Sequence, residues 1–155
     1  MNHLLSRLIS LFLILGITEC IASEFDTAIP ILDKGAITYY VTGQVEGYGD
    51  TDFMVDTGSG YTAINEKMLA KLRHYSKVKF VSTVSGILAN GKRTKLSVYM
   101  IDRINIGGKC AIHDVRAIIL PGSTRNILGL SALKKNAPFA LSFDPPRLLL
   151  SNCIT

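Results

Sequence analysis

The stretch Phe53-Met54-Val55-Asp56-Thr57-Gly58-Ser59 governs how the rest of the chain is read. Three consecutive apolar residues suit a strand buried on both faces, and they run straight into a carboxylate. Burying a carboxylate is costly unless partners surround it. The residues that follow are able to supply them. Thr57 brings a hydroxyl, Gly58 lets the backbone turn closely under the carboxylate, and Ser59 is expected to donate to its outer oxygen. An Asp-Thr-Gly triplet also occurs in ordinary turns, where the aspartate bonds only its own backbone. Context sets this one apart: the buried strand before it, Ser59 after it, and a second apolar element ending in glycine, Ile127-Leu128-Gly129, well downstream.

Short strands and turns extend outward in both directions. Residues 29–32, interrupted by Pro30, read as an edge or terminal strand. Residues 36–45 are rich in Val, Thr and Tyr and end at a Gly-Tyr-Gly-Asp turn. Residues 61–64 are extended, and Asn65 is placed to cap a helix over residues 66–74 with Met68, Leu69 and Leu72 on one side. Two β-prone runs, 78–88 and 94–101, are joined through Asn90-Gly91, a strong hairpin signal because both positions tolerate positive φ. Residues 115–120 form another strand, 130–136 a second short helix, and 139–143 with 147–150 a last hairpin turning at Pro145-Pro146. Many short strands with two short helices predict an all-β fold, a small closed barrel.

At 155 residues the chain has a one-domain length. Its 48% apolar and 19% charged residues fit a globular core. The net charge is +5, but the basic residues are spread over several groups rather than gathered into a nucleic-acid-binding module. His3 and Arg7 precede an apolar run over residues 8–17, broken only by Ser10 and Gly16, and Cys20-Ile21-Ala22 puts small residues at a cleavage position. This reads as a signal peptide over residues 1–22, cleaved after Ala22, with export to the periplasm or outside the cell. Left uncleaved, residues 4–17 would associate the protein with a membrane. The run is short for a full span.

Cleavage leaves Cys110 and Cys153, which admit two readings: one disulfide in an oxidising compartment, or two separate buried thiols. A bond within the chain would contribute about 4 kcal/mol through loop closure. No metal is expected, and nothing calls for another cofactor. His74 and His113 have no Ser or Cys in a nucleophile motif beside them.

With these motifs in place, the chain resembles the retropepsin-like aspartic proteases over nearly all of residues 23–155. Asp56-Thr57-Gly58 matches that family's active-site loop, with Asp56 as the catalytic carboxylate and Thr57, Gly58 and Ser59 supporting the loop. Ile127, Leu128 and Gly129 match the element that packs behind it. Leu88, Ala89, Asn90 and Gly91 lie where the family's substrate-binding flap is expected. The resemblance also implies that residues 29–32 and 147–150 interleave with those of a second subunit. Leu130 and Ser131 stand where viral members carry Arg and an amide or acid. With the leader and the longer segment before the flap, they liken the chain to cellular and bacterial relatives.

The implied chemistry needs two aspartates, one to take a proton from water and one to donate toward the carbonyl oxygen. This chain has a single Asp-Thr-Gly and is too short for two lobes, so a homodimer is expected, with polypeptide as substrate. Two other readings share the fold: a catalytically silent peptide-binding or assembly module, and a domain silenced by its own residues 24–34.

Overall fold

The computed structural model describes residues 24–88 and 91–153. The signal peptide expected over residues 1–22 and the flap residues Ala89 and Asn90 lie outside them. Eleven strands are described: β1 (Thr27–Pro30), β2 (Leu32–Asp33), β3 (Tyr39–Val45), β4 (Gly49–Val55), β5 (Thr62–Asn65), β6 (Val78–Ile87), β7 (Arg93–Ile106), β8 (Cys110–Leu120), β9 (Asn126–Leu128), β10 (Phe139–Phe143) and β11 (Pro146–Leu150). Helix α1 (Glu66–His74) follows β5, and α2 (Leu130–Leu133) runs into a single 3-10 turn over Lys134–Asn136.

Six strands close into a barrel in the order β3-β4-β9-β5-β8-β7, with β7 pairing back onto β3 through Gly43↔Ile106, Gln44↔Asn105 and Val45↔Ile104. Alternation explains the closure. Val41 and Val45 on β3, Phe53 on β4 and Ile104 and Ile106 on β7 all point inward and are buried. Gly43 belongs to the same inward face. A Cβ there would stand 2.8 Å from the Phe53 ring, so the small residue makes room for the largest fully buried side chain. Burying a side chain of that size contributes about 2–3 kcal/mol.

Helix α1 begins where the sequence puts its cap. Asn65 has extended backbone angles, and its side-chain oxygen accepts the Met68 N–H at 2.9 Å. Met68, Leu69 and Leu72 pack the helix onto the barrel, while Lys71, Arg73 and His74 sit in its last turn, where cations complement the helix dipole.

Outside the barrel, β1, β11 and β10 form a three-stranded sheet with β11 in the centre. This corrects the assignment of residues 29–32 and 147–150 to a sheet interleaved with a partner. Thr27–Pro30 pairs with β11 of its own chain, and β10 covers the other edge of β11, so both of that strand's edges are used internally. The turn of this hairpin falls at Asp144-Pro145, and Pro146 already belongs to β11. Ile29, Leu148 and Leu150 are buried beneath the sheet. Cys110, at the start of β8, is disulfide-bonded to Cys153, just past β11. The bond ties the terminal sheet to the barrel.

Candidate active site

Asp56 leaves the end of β4, held from behind by β9. Strands β4 and β9 run parallel with Met54 opposite Ile127 and Val55 opposite Leu128, and the Asp56 N–H continues the ladder to the Leu128 carbonyl at 3.1 Å. On its other side β9 meets β5 at Ala63↔Ile127. The Ile127-Leu128-Gly129 element is therefore wedged between the strand entering the Asp56 loop and the strand leaving it.

The loop turns within three residues. The Gly58 N–H donates to Asp56 Oδ1 at 2.9 Å, and the Ser59 N–H donates to the Asp56 carbonyl at 3.3 Å. Ser59 does not play the part expected of it. Its hydroxyl donates to the Tyr61 carbonyl at 2.6 Å, within the same turn, rather than to the Asp56 carboxylate. A backbone carbonyl two residues on takes up the hydroxyl, and spacing along the chain does not reveal that choice. Asp56 itself is half-buried, and Thr57 is exposed at the tip of the loop.

Gly129 is required by close packing. A Cβ on it would stand 2.1 Å from the Tyr61 carbonyl oxygen and 2.9 Å from that of Ser59. Leu130, next along, donates its N–H to the Ser59 carbonyl at 2.9 Å. Two backbone segments, 59–61 and 129–130, thus cross at near-contact distance beside the Asp56 loop.

Side chains to which the sequence assigned no part in the site complete the support. Ser131 Oγ accepts the Thr62 N–H at 2.7 Å and donates to the Arg116 carbonyl at 2.7 Å, joining β5, α2 and β8. Asn126 donates to Thr51 Oγ1 at 3.0 Å and accepts the Asn65 N–H at 3.3 Å. Asn65 in turn donates to the Thr124 carbonyl at 2.8 Å while capping α1. Thr62, Asn65 and Asn126 are buried and bonded, as buried polar groups must be. Their one sequence signal is polarity inside otherwise apolar runs.

Above the loop lies an open cleft of about 540 Å³ with Asp56, Gly58 and Ser59 on its floor. Its walls are apolar: Ala63, Ile118 and Ile127 from the barrel, Leu120 and Pro121 from the end of β8 and its loop, and Ile87 and Leu88 from the end of β6. Glu66 steadies the Pro121 side by accepting the Gly122 N–H at 2.7 Å. Asp56 is the only carboxylate among the described residues that line the cleft. Of the flap residues expected from the sequence, Leu88 lines the cleft, and the Gly91 N–H donates back to the Leu88 carbonyl at 2.8 Å, closing the turn. Residues 24–34, considered as a self-silencing segment, take no part in lining the cleft; they form β1 and β2 instead.

A family model described as "gag-polyprotein putative aspartyl protease" matches residues 41–135, from β3 through the 3-10 turn, and the chain belongs to this retropepsin-like aspartyl protease family. Among solved structures it is similar to a retropepsin-like aspartic protease from Rickettsia conorii, with a TM-score of 0.57 and 24% identity over 81% of this chain and 89% of that one. That likeness is one of fold. No curated protein matches the chain.

Proposed function

We propose that the protein is an aspartic endopeptidase that works as a homodimer, each subunit contributing Asp56 to one shared site. The observation that carries this reading is a lone carboxylate, fastened by the Gly58 N–H, on the floor of an open apolar cleft of about 540 Å³. One carboxylate is half of the chemistry. Two aspartates held together cannot both ionise cheaply, so the pair retains one shared proton. The ionised member removes a proton from a water molecule, whose oxygen attacks the peptide carbonyl. The protonated member donates toward the carbonyl oxygen, and collapse of the tetrahedral intermediate expels the amine. The titration steps belong to the pair and not to either residue.

Exposed Thr57 at the loop tip, beside a carboxylate short of a partner, marks the face on which the second subunit is expected. The test is concentration. Specific activity on a peptide library rises with protein concentration and levels off where sedimentation shows dimers. Adding excess Asp56→Asn chains lowers activity beyond dilution, because mixed dimers hold one competent carboxylate. Activity that stays flat where only monomer is present overturns the shared site.

A further inference from the structure

The strand that leads into the cleft is hydrogen-bonded on one side only. Among the described residues β6 pairs with β7 and with no other strand, leaving a ten-residue edge whose outward N–H and C=O groups are open to another chain. Phe80, Val81 and Ile87 are exposed along it, at 53%, 39% and 65%.

Charge singles out the same place. Eight of the chain's 17 Lys and Arg residues fall between residues 67 and 101, a stretch with no Asp or Glu, and the other nine are outnumbered by the chain's 12 acids. The whole positive excess is therefore carried by α1 and the β6–β7 hairpin. The ion pairs among the described residues draw only Lys77 from this stretch; Lys79, Arg93 and Lys95 form none. Register places two of these cations beside the open edge: Lys95 is opposite Ser85, and Arg93 is opposite Ile87. Directly opposed residues share a face of the sheet, and the short Ser85 side chain leaves Lys95 room to extend across β6.

We propose that the open edge of β6 is a docking site for an extended, acidic segment of polypeptide. The segment adds as a further strand, its backbone bonding the edge and its carboxylates meeting Arg93 and Lys95. Because β6 ends at Ile87 and Leu88 on the cleft wall, a chain laid along it is led toward Asp56. That last step rests on the protease reading; docking itself does not. A second copy of the chain is a poor occupant, since pairing β6 with itself brings two positively charged hairpins together. An anionic membrane surface shares the charge preference but uses none of the edge hydrogen bonds.

The test uses Asp56→Asn mature protein and a fluorescent peptide in which Glu alternates with Val, followed by anisotropy. Three further probes are the same peptide N-methylated at alternate residues, a version with Lys for Glu, and phosphatidylserine vesicles. The Glu-Val peptide binds and slows hydrogen exchange along β6, and raising the salt weakens it. The double variant Arg93→Gln/Lys95→Gln binds it about tenfold more weakly. The N-methylated and Lys peptides do not bind. Equal binding by either of those two, or binding to vesicles but not to the Glu-Val peptide, overturns the proposal.

Wild type is then given one cleavable sequence with and without the acidic extension. The extension raises kcat/KM by about tenfold, and the double variant loses that gain while keeping the rate on the plain substrate, which also shows that it folds. Equal cleavage of the two substrates defeats docking and leaves the protease reading standing. Binding of the Glu-Val peptide with neither substrate cleaved defeats the protease reading and leaves docking standing.

Discussion

On the floor of the cleft, every residue of β5 is buried, and the backbones of Ser59, Tyr61 and Gly129 cross so closely that no Cβ fits between them. On the opposite wall, none of the ten residues of β6 is buried, and one edge of the strand is bare. The two regions face the same space and are built on opposite terms. The floor is held by short backbone bonds and by bonded polar side chains such as Ser131 and Asn126, which hold a carboxylate to a fixed position. The β6 wall has few core contacts to lose, so it is able to shift around a bound chain at little cost in stability. Substitutions in the floor should therefore cost stability and activity together, whereas those in the β6 wall should change binding alone.

The largest effect is expected at Gly129. Gly129→Ala forces a methyl group to within 2.1 Å of the Tyr61 carbonyl oxygen, and urea unfolding should show a loss of about 3 kcal/mol or more, with activity falling alongside. A variant as stable as wild type would break the contrast at its strongest point. Ser131→Ala comes next. It leaves the Thr62 N–H without its acceptor, and the same measurement should report a loss of about 2 kcal/mol.

Ile87→Ser tests the other side. The residue is 65% exposed yet lines the cleft, so stability should stay within about 0.5 kcal/mol of wild type while KM rises several-fold. A large fall in the urea midpoint would mean that this wall is structural after all. The smallest effect is expected at an exposed ion pair beside the start of β6. Glu46, just past β3, bonds Lys77 at 2.7 Å ahead of β6, and that hydrogen bond, with the charge of Lys77, holds the Glu46 carboxyl below its ordinary value. A lowered folded-state pKa gives stability that is present in full above the ordinary carboxylate range and lost as pH falls through the depressed value. Glu46→Gln should accordingly be slightly less stable than wild type near neutral pH, with urea midpoints converging on acidification. The pair is solvent-exposed, so the gap stays small.

The same contrast accounts for what the residues disclose in advance. Helix α1 is legible because one side chain, Asn65, decides where it starts, and the barrel because Val, Ile and Phe alternate along its strands. The closing pair β7 and β8 is longer than the sequence suggests. Asp102, Arg103, His113 and Asp114 interrupt the apolar pattern, although Ile104, Ile106 and Ile112 between them are buried. Asp114, at φ +52°, takes up a local irregularity that no propensity marks. Residues 36 and 37 likewise turn, both at φ +54°, where Thr- and Tyr-rich neighbours suggest strand. Around Asp56 the motif residues and Gly129 stand out as short patterns. The partner of Ser59 and the bridging role of Ser131 depend on which carbonyl lies nearest in space, and local sequence does not carry that information.

The covalent link between Cys110 and Cys153 changes what a broken backbone would look like. The exposed loop over residues 121–125 lies between the two cysteines, within reach of a proteolytic enzyme. A single cut there divides the chain into two pieces that remain one molecule. Nicked protein would migrate as a single species on a denaturing gel without reductant and split into two bands once dithiothreitol is added. Purity judged without reductant would hide the damage, and a preparation cut at that loop would still be weighed and counted as whole.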